Sequence, residues 1–132
     1  MKVVLDTNIV VSAALTPEGN SAKIIDLLTS HQDIQLSYST EILTEYEDVL
    51  SRPRLNIKTE MRIRVINLLK NIGILIEPMP SNILFSDEND RIFYDTARAA
   101  EAILVTGNQK HYPIEPFIMS PANFLKMTEK AL

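Results

Sequence analysis

The chain of 132 residues has no cysteine, no tryptophan, three glycines and two histidines. Without cysteine there is no disulfide, no thiolate zinc site, no iron–sulfur cluster and no cysteine nucleophile. The histidines, His31 and His111, are too few and too far apart for the usual zinc hydrolase motifs. No apolar run reaches the roughly 18 residues of a membrane span. Asp6 interrupts the first apolar stretch too early for a signal peptide. A cytoplasmic location is therefore expected. Positive charge is also short: 13 Lys+Arg stand against 17 Asp+Glu, a formal net charge of −4. A whole-molecule field attracting nucleic acid is absent, so nucleic-acid binding needs local patches or metal ions.

A hydrophobic fraction of 45% and a charged fraction of 23% suit a folded globular chain. The length suits one domain over 1–132, with one core and one site. Lys2–Leu5 is a short apolar run that predicts a buried strand. A helix is expected over Ile9–Leu15, then a turn at Pro17–Asn20. Ser21–Ser30 has helical spacing, with Asn20 or Ser21 as its cap, and Ile34–Tyr38 alternates as a second strand. Ser39 or Thr40 should cap a helix reaching about Ser51, with Ile42, Leu43, Tyr46, Val49 and Leu50 as its apolar stripe. Thr59 should cap the next helix and Gly73 take its C′ position. Strands are expected at Ile74–Glu77, Ile103–Thr106 and Pro116–Ser120. A helix should fill about Asp90–Glu101, with Asp95 on its solvent side by phase. Ser120-Pro121 predicts the start of a last helix, Ala122–Leu132. This alternation predicts an α/β fold around a parallel sheet, whose functional groups collect at the carboxyl ends of its strands.

That rule singles out a set of polar residues. Asp6 closes the first strand, and Thr106 and Asn108 close the fourth. Asp87 and Asp90 begin a helix, and Asp90 shares a face with Phe93, Tyr94 and Ala97. Glu45 flanks the apolar stripe of its helix, whereas Glu47 and Asp48 fall outside it. Each residue alone also fits a structural role. Asp6 and Asp87 suit caps, Glu45 a solvated edge, and Thr106 and Asn108 a turn. Together they place three carboxylates and an amide at strand ends and adjoining helix faces. Clustered carboxylates repel one another and call for a cation. Oxygen donors without thiolates or a histidine cluster select Mg²⁺ or Mn²⁺ over Zn²⁺. Such an ion lowers the pKa of bound water and offsets charge on a phosphodiester.

VVLDTNIVVSAAL, STEILTEYEDVLSRPRL, DENDRIFYDTARAAEAILVTGN and IMSPANFL follow in order from about Lys2 to Lys126. In this combination the chain resembles a PIN domain. It is similar in particular to the bacterial and archaeal toxins of toxin–antitoxin pairs related to VapC. The resemblance implies a three-layer α/β/α sandwich around a central parallel sheet. It also implies a Mg²⁺- or Mn²⁺-dependent ribonuclease, an antitoxin partner and a homodimer.

Within the resemblance, the family's acids fall on Asp6, Glu45 and Asp90, with Thr7 beside the first and Asp87 a weaker candidate for the third. Where many members carry a fourth aspartate, this chain has Asn108, whose amide can accept a hydrogen bond or ligate a metal but adds no charge. The expected metal ligands are Asp6, Asp90 and Glu45, with Thr106 and Asn108 orienting water or ligand. Arg52, Arg54, Lys58, Arg62 and Arg64 form the densest basic stretch, which suits phosphate contacts or a solvated helix face. Candidate substrate contacts are Thr7, Asn8, Arg52, Arg54 and Lys110. His111, beside Lys110 near the strand ends, suits a contact to substrate or product, or a surface loop. Two other readings stay open: a catalytically degenerate PIN domain binding RNA or protein, and a phosphatase with Asp6 as nucleophile.

Overall fold

The computed structural model describes residues 1–131. The chain runs β1 (Lys2–Leu5), α1 (Thr7–Leu15), α2 (Asn20–Ser30), β2 (Gln35–Tyr38), α3 (Thr40–Leu50), α4 (Thr59–Ile72) and β3 (Gly73–Leu75). After a long connection come α5 (Arg91–Ala100), β4 (Ile103–Val105), β5 (Ile118–Met119) and α6 (Pro121–Ala131). Short 3₁₀ turns occupy Pro53–Leu55, Glu88–Asp90 and Gln109–His111. The expected end of the last helix at Leu132 lies outside the described residues.

All five strands are parallel, in the order β3-β2-β1-β4-β5. The helices sandwich this sheet in the expected three-layer α/β/α arrangement. The chain leaves β1 toward β2 on one side and later returns to β4 on the other. This is a topological switch point, the place where open α/β sheets gather functional groups at their strand ends. Leu5 pairs with Val105, and the Asp6 amide donates to the Val105 carbonyl at 3.0 Å. Asp6 and Thr106 therefore emerge side by side. The strands are short and nearly wholly apolar because helices cover both faces. Val3, Val4, Leu5, Leu36, Leu104 and Val105 are all fully buried.

Capping explains several boundaries. Ser39, not Thr40, caps α3: its hydroxyl accepts the Ile42 amide at 3.1 Å. Thr40 instead donates its hydroxyl and amide to Glu77. The Asn123 amide donates to the Ser120 hydroxyl, so the expected Ser-Pro start of α6 holds. Neither Asn20 nor Ser21 caps α2, because the cap position is Gly19 and carries no side-chain bond. Thr59 lies inside α4, not at its cap, and its hydroxyl accepts from Arg62.

Two expectations fail for tertiary reasons. Asp95 is buried, not exposed, at 5% accessibility. The segment 76–87 crosses α5 on the side that helical phase gives to solvent, and the Ser81 amide donates to Asp95 at 3.1 Å. Gly73 does not adopt the left-handed C′ geometry; its φ is −102°. Its small size is needed for another reason: a Cβ there would meet the Tyr38 ring at 2.6 Å and the Leu69 carbonyl at 2.8 Å. Gly73→Ala is therefore expected to overpack the junction of α4 with the sheet and destabilise by about 1–3 kcal/mol. Urea unfolding should show a lower midpoint with unchanged slope. An unchanged midpoint would mean that Tyr38 yields freely.

Candidate active site

Asp6 is the first residue past β1 and sits at the N-terminus of α1. One oxygen, Oδ1, accepts the Thr7 amide at 2.7 Å. The other, Oδ2, accepts the Thr106 hydroxyl at 2.7 Å and the Tyr112 hydroxyl at 2.9 Å. The residue is only 6% exposed. Burial raises its pKa, and the bonds from Thr106, Tyr112 and Thr7 oppose that rise without cancelling it. Capping and site geometry thus use the same carboxylate, so these two readings of Asp6 were never exclusive.

The strand ends are tied around it. Tyr46 on α3 donates its hydroxyl to the Leu5 carbonyl, next to Asp6. Thr106 is fully buried, and its hydroxyl also accepts the Asn108 amide at 3.0 Å. The Asn8 carboxamide accepts the Gly107 amide at 3.0 Å.

Asp90 ends the 3₁₀ turn that leads into α5, and its side chain is 15% exposed. Its pKa is pushed up to about 6, first by burial, then by the charges of Asp6 and Asp87, with Glu45 adding and His111 opposing. Glu45 on α3 also has a raised pKa. Burial comes first and Asp48 next; Arg52 opposes, and Asp6 and Asp87 add. The charge of Asp6 is felt at both Glu45 and Asp90, and that of Glu45 at Asp90. Asp87 is exposed and accepts the Asn89 amide at 3.0 Å, a turn-capping role. Among the described residues, no three acidic or histidine side chains meet closely enough to make a ready cage for an ion.

The remaining candidates differ in placement. Thr7 is 8% exposed, and its hydroxyl has no partner among the described residues. Asn108 lies exposed at the mouth of the strand ends and contributes its backbone to the Thr106 contact. Lys110 is exposed on the following 3₁₀ turn. Arg52 pairs with Asp48 at 3.3 Å, and Arg54 is exposed on the turn after α3. A groove of about 450 Å³ brings Glu45 and Asp48 alongside Glu88 and Asn89.

One contributor has no counterpart in the sequence reading: Tyr112, which holds Asp6. His111, exposed on its loop near the strand ends, places Nδ1 3.6 Å from Asp90 Oδ2. Tyr112 belongs to no periodic pattern. The available clue was that a tyrosine hydroxyl, once buried, needs a polar partner.

The raised pKa of Asp90 has a stability consequence. Its folded value of about 6 exceeds the ordinary 3.8. Between these values the folded state binds more protons, so stability falls as pH rises through that window. Asp90→Asn removes the charge. It is expected to raise the melting temperature at pH 7.5, and the gain should shrink toward pH 4. Melts in EDTA test this, and an equal or lower melting temperature at pH 7.5 would contradict the electrostatic account.

Comparison with known proteins fits this geometry. The family model described as PIN domain matches residues 2–110. The uncharacterized protein MJ1680 of Methanocaldococcus jannaschii is 30% identical over 112 residues, covering 83% of this chain and 72% of that protein. A chain in the crystal structure of VapBC2 from Rickettsia felis, bound to a DNA fragment from their promoter, has a similar fold. The TM-score is 0.58 at 18% identity, over 91% of this chain and 97% of that one. With the family match covering most of the chain and including Asp6, Glu45 and Asp90, this protein belongs to the PIN domain family.

Proposed function

We propose that this PIN domain is a Mg²⁺- or Mn²⁺-dependent ribonuclease that hydrolyses RNA phosphodiester bonds as the toxin of a toxin–antitoxin pair. The observation that supports this reading is the raised pKa of Asp6, Asp90 and Glu45, with the charge of Asp6, which stands beside Thr106 at the β1/β4 strand ends, felt at the other two. Such a centre lacks positive charge and offers oxygen donors, which suits a hard divalent cation. Mg²⁺ keeps several waters and needs only one or two carboxylates, so an open acidic centre fits it without a closed cage. Asp6 and Asp90 would hold the ion, with Glu45 binding at longer range. When bound, the ion supplies charge stabilisation at the phosphate and acidifies water.

The chain's own groups do the rest. Thr106 and Tyr112 keep Asp6 fixed. Glu45, with its raised proton affinity, accepts a proton from the attacking water or orients that water. Asn108 orients water or a phosphate oxygen through its amide. The Thr7–Asn8 segment, Lys110, Arg52 and Arg54 contact the RNA backbone, although Arg52 must first loosen its pairing with Asp48. The VapBC2 neighbour supports an antitoxin protein as partner, and a homodimer in the cytoplasm completes the assignment. No helix of the described residues is long and apolar enough to cross a membrane.

Asn108 favours one second reading, a PIN domain that retains the frame and has lost cleavage. The Asp-nucleophile reading fits less well, because three donors already engage the Asp6 oxygens. Purified protein is expected to cleave RNA with Mg²⁺ or Mn²⁺ and to stop in EDTA. Asp6→Asn should reduce cleavage roughly 100-fold or more while the fold remains. Unchanged turnover in Asp6→Asn would refute the assignment. Metal binding by a folded wild type that cleaves no RNA would favour the degenerate reading.

A further inference from the structure

We propose that Tyr112 is a positioning residue that, with Thr106, closes one oxygen of Asp6 and leaves the other as its single cation-binding oxygen. This inference rests on the metal-site reading above and adds to it a selectivity between cations.

The argument is a count of acceptor positions. An ionised carboxylate offers about two on each oxygen. Both positions on Oδ2 are taken, by Thr106 Oγ1 at 2.7 Å and Tyr112 OH at 2.9 Å. On Oδ1 only the Thr7 amide is bound, at 2.7 Å, so one position stays open. The donors are held to this task. Thr106 Oγ1 accepts the Asn108 amide, which leaves its own single proton for Asp6. Tyr112 is 6% exposed and packs edge-on against Phe85, with ring centroids 6.2 Å apart. A phenol hydroxyl stays protonated at neutral pH, so Tyr112 remains a donor.

A carboxylate limited to one open oxygen suits some cations better than others. Mg²⁺ and Mn²⁺ take compact shells completed by water, whereas Ca²⁺ accepts six to eight oxygens and uses bidentate carboxylates. Closing Oδ2 therefore disfavours Ca²⁺ at Asp6. Removing the Tyr112 hydroxyl reopens a position on Oδ2 and also loosens the carboxylate.

The test is calorimetric titration of Mn²⁺ and of Ca²⁺ into metal-free protein, without RNA. Tyr112→Phe keeps the ring against Phe85 and deletes the donor. It should weaken Mn²⁺ binding 10- to 100-fold and weaken Ca²⁺ binding less, so the Mn²⁺/Ca²⁺ affinity ratio narrows. Thr106→Ser keeps its donor and should preserve the ratio. If Tyr112→Phe does not stay folded in EDTA melts, Thr106→Val removes the other donor on Oδ2 and should narrow the ratio alike. An unchanged ratio in the folded donor-deletion variant, with Mn²⁺ bound by wild type, overturns this inference and leaves the metal reading standing. Wild-type protein that binds no Mn²⁺ overturns the metal reading, and the inference with it.

Discussion

The fold and the site both depend on burying one carboxylate at the end of a central strand. Asp6 cannot keep its charge there unless the protein supplies donors to replace lost water. Only Thr7 is local. Thr106 and Tyr112 lie 100 and 106 residues further along the chain. They reach Asp6 only when β4 has docked beside β1 in register, which the bond from the Asp6 amide to the Val105 carbonyl enforces. Closing the sheet at its switch point and assembling the site are therefore one event. Tyr46 strengthens the same junction from the helical side, joining α3 to the last carbonyl of β1. A single missing donor would be felt by packing and electrostatics together, because an unsatisfied buried charge is far more costly than a lost surface contact.

The second constraint is crowding of like charge. Burial raises the proton affinity of Asp6, Glu45 and Asp90, the charges of Asp6 and Asp87 raise it further at Glu45 and Asp90, and little of the protein's own positive charge answers them. Arg91 directs its guanidinium to Glu88 and to Ser81 and Ile83 in the 76–87 segment. Arg52 is engaged with Asp48. Among the described residues, the one basic side chain within 4 Å of a carboxylate of the three central acids is His111, on Asp90. The basic groups brace the walls and leave the centre negative. Arg91 fixes the long connection over α5, Asp95 takes the Ser81 amide, and Glu77 ties the same connection to the start of α3. The start of α3 and the start of α5, which follows Asp90, are thereby tied to one another through this connection.

How much of this was legible from residues follows from the range of the interactions. Lys2–Leu5 and Ile103–Val105 declare themselves as buried strands because both faces of the sheet are covered. Asp6 stands out because the apolar run ends on it. Ser120-Pro121 is legible because a cap is a local contact. Glu45 and Asp90 can be placed by helical phase, since each helix shows one apolar face. Asp95 defeats the same reasoning: the segment covering it has no periodicity, so phase assigns its side to water. Gly73 suits a cap by local pattern, but the reason for glycine is the Tyr38 ring on the neighbouring strand, which no local pattern reveals. Tyr112 is similarly hidden, because its partner is distant in sequence and its neighbours His111 and Pro113 resemble an ordinary turn.

The substitution of an amide for a carboxylate at position 108 changes the charge of the centre more than its frame. The contact that matters to Asp6 comes from the Asn108 backbone, which donates to Thr106 and so directs the threonine proton onto Asp6. Any residue but proline provides that donor. Losing a side-chain carboxylate there leaves the clamp on Asp6 intact. On the proposed reading, an amide in place of a carboxylate adds no charge and so lowers the total attraction for a second cation, which favours one ion held by Asp6 and Asp90 over a pair.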